Sequence, residues 1–171
     1  MDELGHLTPE DGIFLDEDVL RDDYDPSRIL ERDEVLNRYL QMFSEVVRNK
    51  RPRNVFVYGP TGVGKTVGTH LVLDRVREDA EDIDDVNVRA VQLECRDLNT
   101  SYQVAVHLVN VLREPTSRSS ISTTGYPEGD VYDMLFDELR DADVTHVLIA
   151  LDEIDNIGTS DNVLYKLGRC N

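Results

Sequence analysis

Eight consecutive residues, Gly59-Pro60-Thr61-Gly62-Val63-Gly64-Lys65-Thr66, fit the pattern G-x-x-x-x-G-K-[ST] without a gap. Glycines at these positions let the backbone curl until successive N–H groups point at one anion. A helix starting near Lys65 adds the positive end of its dipole. A lysine here reaches the β- and γ-phosphates of a nucleoside triphosphate, and the hydroxyl of Thr66 can hold Mg²⁺. The chemistry predicted is ATP phosphate binding by Gly59, Pro60, Thr61, Gly62, Val63, Gly64, Lys65 and Thr66. A plain glycine turn, the competing reading, does not account for the flanks. Asn54-Val55-Phe56-Val57-Tyr58 before the loop reads as a short buried strand, and a helix follows from about Lys65 to Arg77.

The second candidate is Val147-Leu148-Ile149-Ala150-Leu151-Asp152-Glu153. An apolar run ending in acids describes a central strand whose C-terminal end meets the ligand crevice. Asp152 is expected to take Mg²⁺ through water, and Glu153 to polarise the attacking water as general base. Alone this pattern is weak, because hydrophobic strands often end in a solvated acid; the phosphate loop upstream gives it weight. Asp155 reads as a residue that caps or ends the turn. Asp152-Glu153-Ile154-Asp155 also spells a helicase box, but helicases need a second motor domain that 171 residues do not hold. The histidines (His6, His70, His107, His146) lack metal-ligand spacing. Cys95 and Cys170 form no CxxC pair and read as free thiols of a reducing cytoplasm.

These residues need a scaffold. Residues 1–23 are acidic and lack periodicity, and read as a mobile arm. From Pro26 apolar residues recur at spacings of three and four through Val46 and Val47, predicting a helix. The run Arg48-Asn49-Lys50-Arg51-Pro52-Arg53 closes it. Cations complement a helix C-terminus and Pro52 stops it, with phosphate contact as the alternative. Glu78 to Asp85 reads as a loop and Val86 to Leu93 as a second strand. Asn99-Thr100-Ser101 offers N-caps for a helix through Leu112. Glu114 to Gly129 reads as a loop, Asp130 to about Asp141 as a helix, Val144 to Leu151 as the third strand, and Asp161 to Leu167 as a last short helix. Alternating strands and helices predict an α/β fold, a parallel sheet flanked by helices.

Composition narrows the setting. A net charge of −17 comes from 22 Asp and 13 Glu against 15 Arg and 3 Lys, spread along the whole chain. Such a balance usually argues against nucleic-acid binding. An Asp-rich, Lys-poor surface also suits molar salt, where the Debye length is about 3 Å and self-repulsion is screened. A halophilic source is expected. The longest apolar run is too short to span a bilayer, and Met1-Asp2-Glu3 is acidic where a secretory leader is basic, so no membrane partner is expected.

With these residues in view, the chain resembles the archaeal origin-recognition initiators, AAA+ ATPases akin to the eukaryotic origin-recognition complex. Three segments carry the resemblance. They are Asp23-Tyr24-Asp25-Pro26 with Glu31-Arg32-Asp33-Glu34, then Tyr58 to Thr66, then Leu151-Asp152-Glu153-Ile154-Asp155 with Leu164-Tyr165. The resemblance implies a P-loop (AAA+) sheet of strand order 5-1-4-3-2, here incomplete at the C-terminus. Residues 24–171 would form a partial ATPase domain supplying strands 1, 2 and 3. A strand-wide gap is then expected between Val55-Phe56-Val57 and Leu148-Ile149-Ala150, because strand 4 belongs between them. The resemblance also implies that Tyr24, Ile29 and Arg32 line an adenine pocket, with packing or capping of the next helix as the alternative. It places an insertion that can touch DNA near Arg113 and Arg118, which otherwise read as solvated. The family's sensor asparagine, arginine finger, lid and winged-helix DNA reader are expected beyond Asn171. The function implied is ATP-driven switching of origin recognition, with ATP or ADP, Mg²⁺, origin DNA through the full-length protein, and other initiator subunits as partners. The alternative is a non-hydrolysing nucleotide-bound module that pairs with full-length initiators.

Overall fold

The computed structural model describes residues 32–169; the acidic arm, Tyr24 and Ile29 lie outside the described residues. At its centre two strands, β1 (Val88–Glu94) and β2 (His146–Asp152), run parallel. Their register pairs Val88 with His146 and Glu94 with Asp152, so both C-terminal ends finish at the same edge. The chain crosses between them through α3 (Ser101–Arg113) and α4 (Glu128–Arg140). α1 (Asp33–Gln41) and α2 (Lys65–Glu81) precede β1, and α5 (Asn162–Leu167) follows β2.

The period-2 geometry of a strand sorts side chains into two cores. Val88 and Leu148 face one side, where they meet Val72, Leu73, Val76 and Ala80 of α2 and the buried Val46. Val91, Leu93, Val147, Ile149 and Leu151 face the other, against Val104, Leu108 and Leu112 of α3 and Val131 and Leu135 of α4. Apolar residues on both faces are what a parallel sheet covered by helices requires. The α/β architecture expected from the pattern is the one observed.

Several boundaries differ from expectation, three of them in helices. The helical pattern through Val47 breaks at Gln41. Turns bonded from Phe43 N–H to Leu40 C=O and from Val46 N–H to Phe43 C=O follow, then a 3₁₀ turn over Val46–Arg48. The bend lets Val46 bury fully against α2, and Asn49 ends the turn in the left-handed region at φ 54°. α2 runs to Glu81, four residues past Arg77, because Arg75 pairs with Glu78 and Asp79 and Ala80 is buried. α4 begins at Glu128, with Glu128 and Asp130 placed favourably in its first turn.

The larger correction concerns Asn54 to Tyr58, expected as a buried strand. The segment forms no strand, and no described residue pairs with it. Phe56 and Tyr58 are 76% and 84% exposed, stacked on each other with ring centroids 6.2 Å apart. β1 and β2 hydrogen-bond directly to one another, and no ladder joins Val55–Val57 to Leu148–Ala150. The physical reason is the missing ladder. Regular strand geometry is held by neighbours, and an apolar β-branched run cannot bury itself without them.

Candidate nucleotide site

The phosphate loop leaves Tyr58, turns through Gly62 and Gly64 at φ 80° and 82°, and enters α2 at Lys65. These positive φ values are the reason glycine stands there: an L-side chain costs about 1–2 kcal/mol in this conformation. A Cβ at either glycine would meet nothing within 4 Å, so the constraint is backbone strain and the space over the loop is open. The first N–H groups of α2 have no side-chain cap and face this space as anion donors.

The structure brings Thr66 to Asp152, while Lys65 turns back on the loop. Lys65 Nζ donates to the carbonyls of Gly59 and Pro60, each at 3.0 Å, so the ammonium lies across the loop's own backbone. Thr66 Oγ1 donates to Asp152 Oδ2 at 2.5 Å across 86 residues of sequence, joining the start of α2 to the end of β2. The other carboxylate oxygen, Oδ1, accepts the N–H of Glu153 at 3.0 Å. The Asp152 carbonyl accepts the Cys95 N–H at 2.8 Å, extending the β1–β2 pairing one residue past β1.

Glu153 adopts the left-handed conformation at φ 51°, which turns its side chain out of the strand line. Its carboxylate is held by an arginine that sequence reasoning did not single out. Arg96 donates from Nε to Glu153 Oε2 at 3.2 Å and from a terminal nitrogen to Oε1 at 3.4 Å. The same guanidinium reaches Glu94 Oε1 at 3.0 Å. The hydrogen bond to Glu153, followed by the charges of Glu153 and Glu94, holds Arg96 firmly protonated. One signal could have found it. Arg96 stands two residues beyond the C-terminal end of a parallel strand, where crevice residues of α/β sheets collect.

Cys95, between them, is a buried free thiol. Burial first, then the carboxylates of Asp152 and Glu94, push it up to about 11. It is inert packing, consistent with the free-thiol reading. Asp155 sits in a 3₁₀ turn over Ile154–Ile157, and its carbonyl accepts the Gly158 N–H, as a turn-ending residue would.

Of the proposed adenine-pocket residues, Arg32 is exposed at the entry to α1, where its carbonyl accepts the Leu36 N–H at 3.0 Å. Arg113, 17% exposed, and Arg118, 46% exposed, are both ion-paired. Arg113 Nε donates to Glu138 Oε1 at 2.6 Å, and Arg118 donates to Glu138 Oε2 at 2.8 Å and Asp141 Oδ2 at 2.7 Å. Together with Asn110, which bonds both the N–H and C=O of Ile121, they pin the loop between α3 and α4.

The donor set suits Mg²⁺. One hydroxyl and one carboxylate converge, both hard oxygens, and Mg²⁺ commonly takes its remaining ligands from water and phosphate. Among the described residues no cluster of three His, Cys, Asp or Glu could hold a metal unaided.

Comparison with known proteins agrees with this geometry. The AAA domain family matches residues 48–170. ORC1-type DNA replication protein 1 of Haloarcula marismortui is 51% identical over 168 residues, 98% of this chain and 39% of the relative. The ORC1-type DNA replication protein of Pyrococcus furiosus is 34% identical over 161 residues, covering 93% of this chain and 38% of the relative. Among solved structures, the Aeropyrum pernix ORC1 protein in complex with DNA superposes with a TM-score of 0.76 at 30% identity. That match covers 90% of this chain and 39% of the other. The Aeropyrum pernix ORC2 protein (ADPNP-ADP complexes) shares the fold at a TM-score of 0.68 and 22% identity. The chain spans about two fifths of the length of these relatives. The acid-rich, Lys-poor composition matches the salt-loving source of its Haloarcula relative.

Proposed function

The chain belongs to the AAA domain family, and from that premise we propose that it binds ATP as part of an origin-recognition-type replication initiator. In this reading ATP binding and slow hydrolysis switch how the whole initiator holds origin DNA and assembles with other initiator subunits. The observation that carries the proposal is the Thr66–Asp152 contact, which brings a P-loop hydroxyl and a strand-end carboxylate within 2.5 Å. A hydroxyl and a carboxylate that converge beside backbone N–H groups are the hard oxygens a phosphate-bound Mg²⁺ takes.

Each residue then has a task. The N–H groups of the loop cradle the phosphates, and Lys65 leaves the Gly59 and Pro60 carbonyls to meet the β- and γ-oxygens. Thr66 and Asp152 would hold Mg²⁺, which when bound would neutralise charge on the phosphates. Glu153 orients the attacking water as general base. Arg32 remains a candidate for the adenine pocket, together with Tyr24 and Ile29. A DNA replication protein among the relatives, one neighbour in complex with DNA and another in ADPNP-ADP complexes support the DNA and nucleotide partners.

One observation favours the second reading, a non-hydrolysing nucleotide-bound module. The Glu153 carboxylate is engaged by Arg96 on both oxygens, and this contact competes with water for its lone pairs. Turnover of radiolabelled ATP in molar KCl separates the two. Hydrolysis that Glu153→Gln abolishes supports the switching ATPase; no turnover with intact binding supports the module.

A further inference from the structure

Between Glu45 and Asp74 the chain carries no Asp or Glu for 28 residues, although 35 of its 171 residues are acidic. The phosphate loop explains the second half of this gap. The first half holds Arg48, Lys50, Arg51 and Arg53, four of the 18 basic residues. The fold brings a second acid-free segment against it. Arg51 donates to the Gly168 carbonyl at 3.2 Å, joining this run to the stretch after α5 that carries Lys166 and Arg169. His146 Nε2 lies 3.1 Å from the Lys50 carbonyl and fixes the run to the start of β2.

Several cations elsewhere on this surface are covered by carboxylates. Arg38, Arg75, Arg77 and Arg140 each pair with an acid three or four residues away on their own helix. Lys50 and Arg53 are exposed and meet no carboxylate among the described residues. Arg169 lies over the ring of Tyr165, 4.5 Å from guanidinium carbon to centroid, also without an acid. In a chain of net charge −17, cations left uncovered and gathered from two segments mark an anion-facing surface.

We propose that Lys50, Arg53 and Arg169 form a contact surface for the phosphate backbone of duplex DNA, separate from the nucleotide site. The proposal rests on the initiator reading above. Backbone contact is favoured over single-strand binding because all three groups are cations, which meet phosphates, and Arg169 occupies one face of Tyr165, the ring beside them. Arginine suits the setting: at molar salt the Debye length is about 3 Å, so only direct guanidinium–phosphate hydrogen bonds survive screening. The surface gives affinity and orientation without reading sequence.

The test is fluorescence anisotropy of a labelled random-sequence 30-base-pair duplex with the purified chain. KCl is varied from about 0.1 to 0.5 M in trimethylamine oxide, which favours the compact state by exclusion from the protein surface. Circular dichroism checks the fold at each salt. The triple variant Lys50→Glu, Arg53→Glu, Arg169→Glu is compared with Arg38→Glu, Arg75→Glu, Arg140→Glu, which carries the same net charge. The first is expected to lose tenfold or more in affinity, and to lower the slope of log K against log salt by about 2–3. The second is expected to stay within about twofold of the parent. Equal loss in both variants, no duplex binding by the parent, or equal affinity for a single strand would overturn the proposal. Binding of a fluorescent ATP analogue, read in parallel, keeps failure of this surface distinct from failure of the nucleotide site.

Discussion

Of the glutamates gripped by arginine, Glu138 and Glu153 show how surroundings give the same contact opposite meanings. Glu138 is 4% exposed, between Arg113, itself 17% exposed, and Arg118. Glu153 is 42% exposed, with Arg96 at 65%. Charges that have left water depend on each other, so breaking the first pair strands a buried ion. The second pair is wet and screened, and it can part at little cost. The Glu138 pair therefore fixes a loop, whereas the Glu153 pair can open when nucleotide and water arrive. The two sites differ by solvent access, not by chemistry.

The largest test removes the solvent condition that both share. As KCl falls from molar to about 0.1 M, the Debye length grows from roughly 3 to 10 Å and the acids repel one another. Far-UV circular dichroism is expected to show loss of helix; an unchanged spectrum would refute the adaptation to salt. Next comes the buried pair itself. Glu138→Ala leaves Arg113 enclosed without its partner and is expected to cost about 3 kcal/mol by urea unfolding in molar KCl. A cost below about 1 kcal/mol would put Glu138 in the same class as Glu153.

Cys95 extends the comparison to a neutral group. Its thiol ionises near 9 when unfolded and is pushed up to about 11 in the fold. The stability it adds is therefore complete below pH 9 and is lost as pH rises through 11. The loss is about 2–3 kcal/mol, at 1.36 kcal/mol per unit of displacement. Cys95→Ala should flatten the alkaline arm of a denaturation series; an arm of unchanged steepness would remove the thiol as its cause. Smallest in stability, but visible in rate, is Arg96→Ala. It should leave the melting temperature unchanged while altering ATP turnover, because Glu153 is released without loss of packing. A lowered melting temperature with unchanged turnover would make Arg96 a structural residue like Arg113.

The sequence carried the α/β architecture and the site unequally. Gly62, Gly64, Lys65, Thr66 and Asp152 stand out in the sequence because phosphate binding dictates residue type and spacing locally; the structure brings Thr66 to Asp152. α3 and its Thr100 cap were legible too, since capping is also local: the Thr100 side chain accepts the Gln103 N–H. The Asn54–Tyr58 strand was misjudged because a strand is a property of its neighbours, and periodicity says nothing of whether they are present. Arg96, Arg113 and Arg118 were invisible as ion pairs. Their partners lie 57, 25 and 20 residues away, and no local pattern encodes such a meeting.

The account rests on Lys65 acting on bound phosphate and Glu153 on water in the transition state. Titration of a fluorescent ATP analogue with Mg²⁺ in molar KCl tests this directly. Lys65→Ala is expected to abolish binding, while Glu153→Gln binds as tightly as the parent. Equal loss in both variants, or undiminished binding by Lys65→Ala, would contradict it.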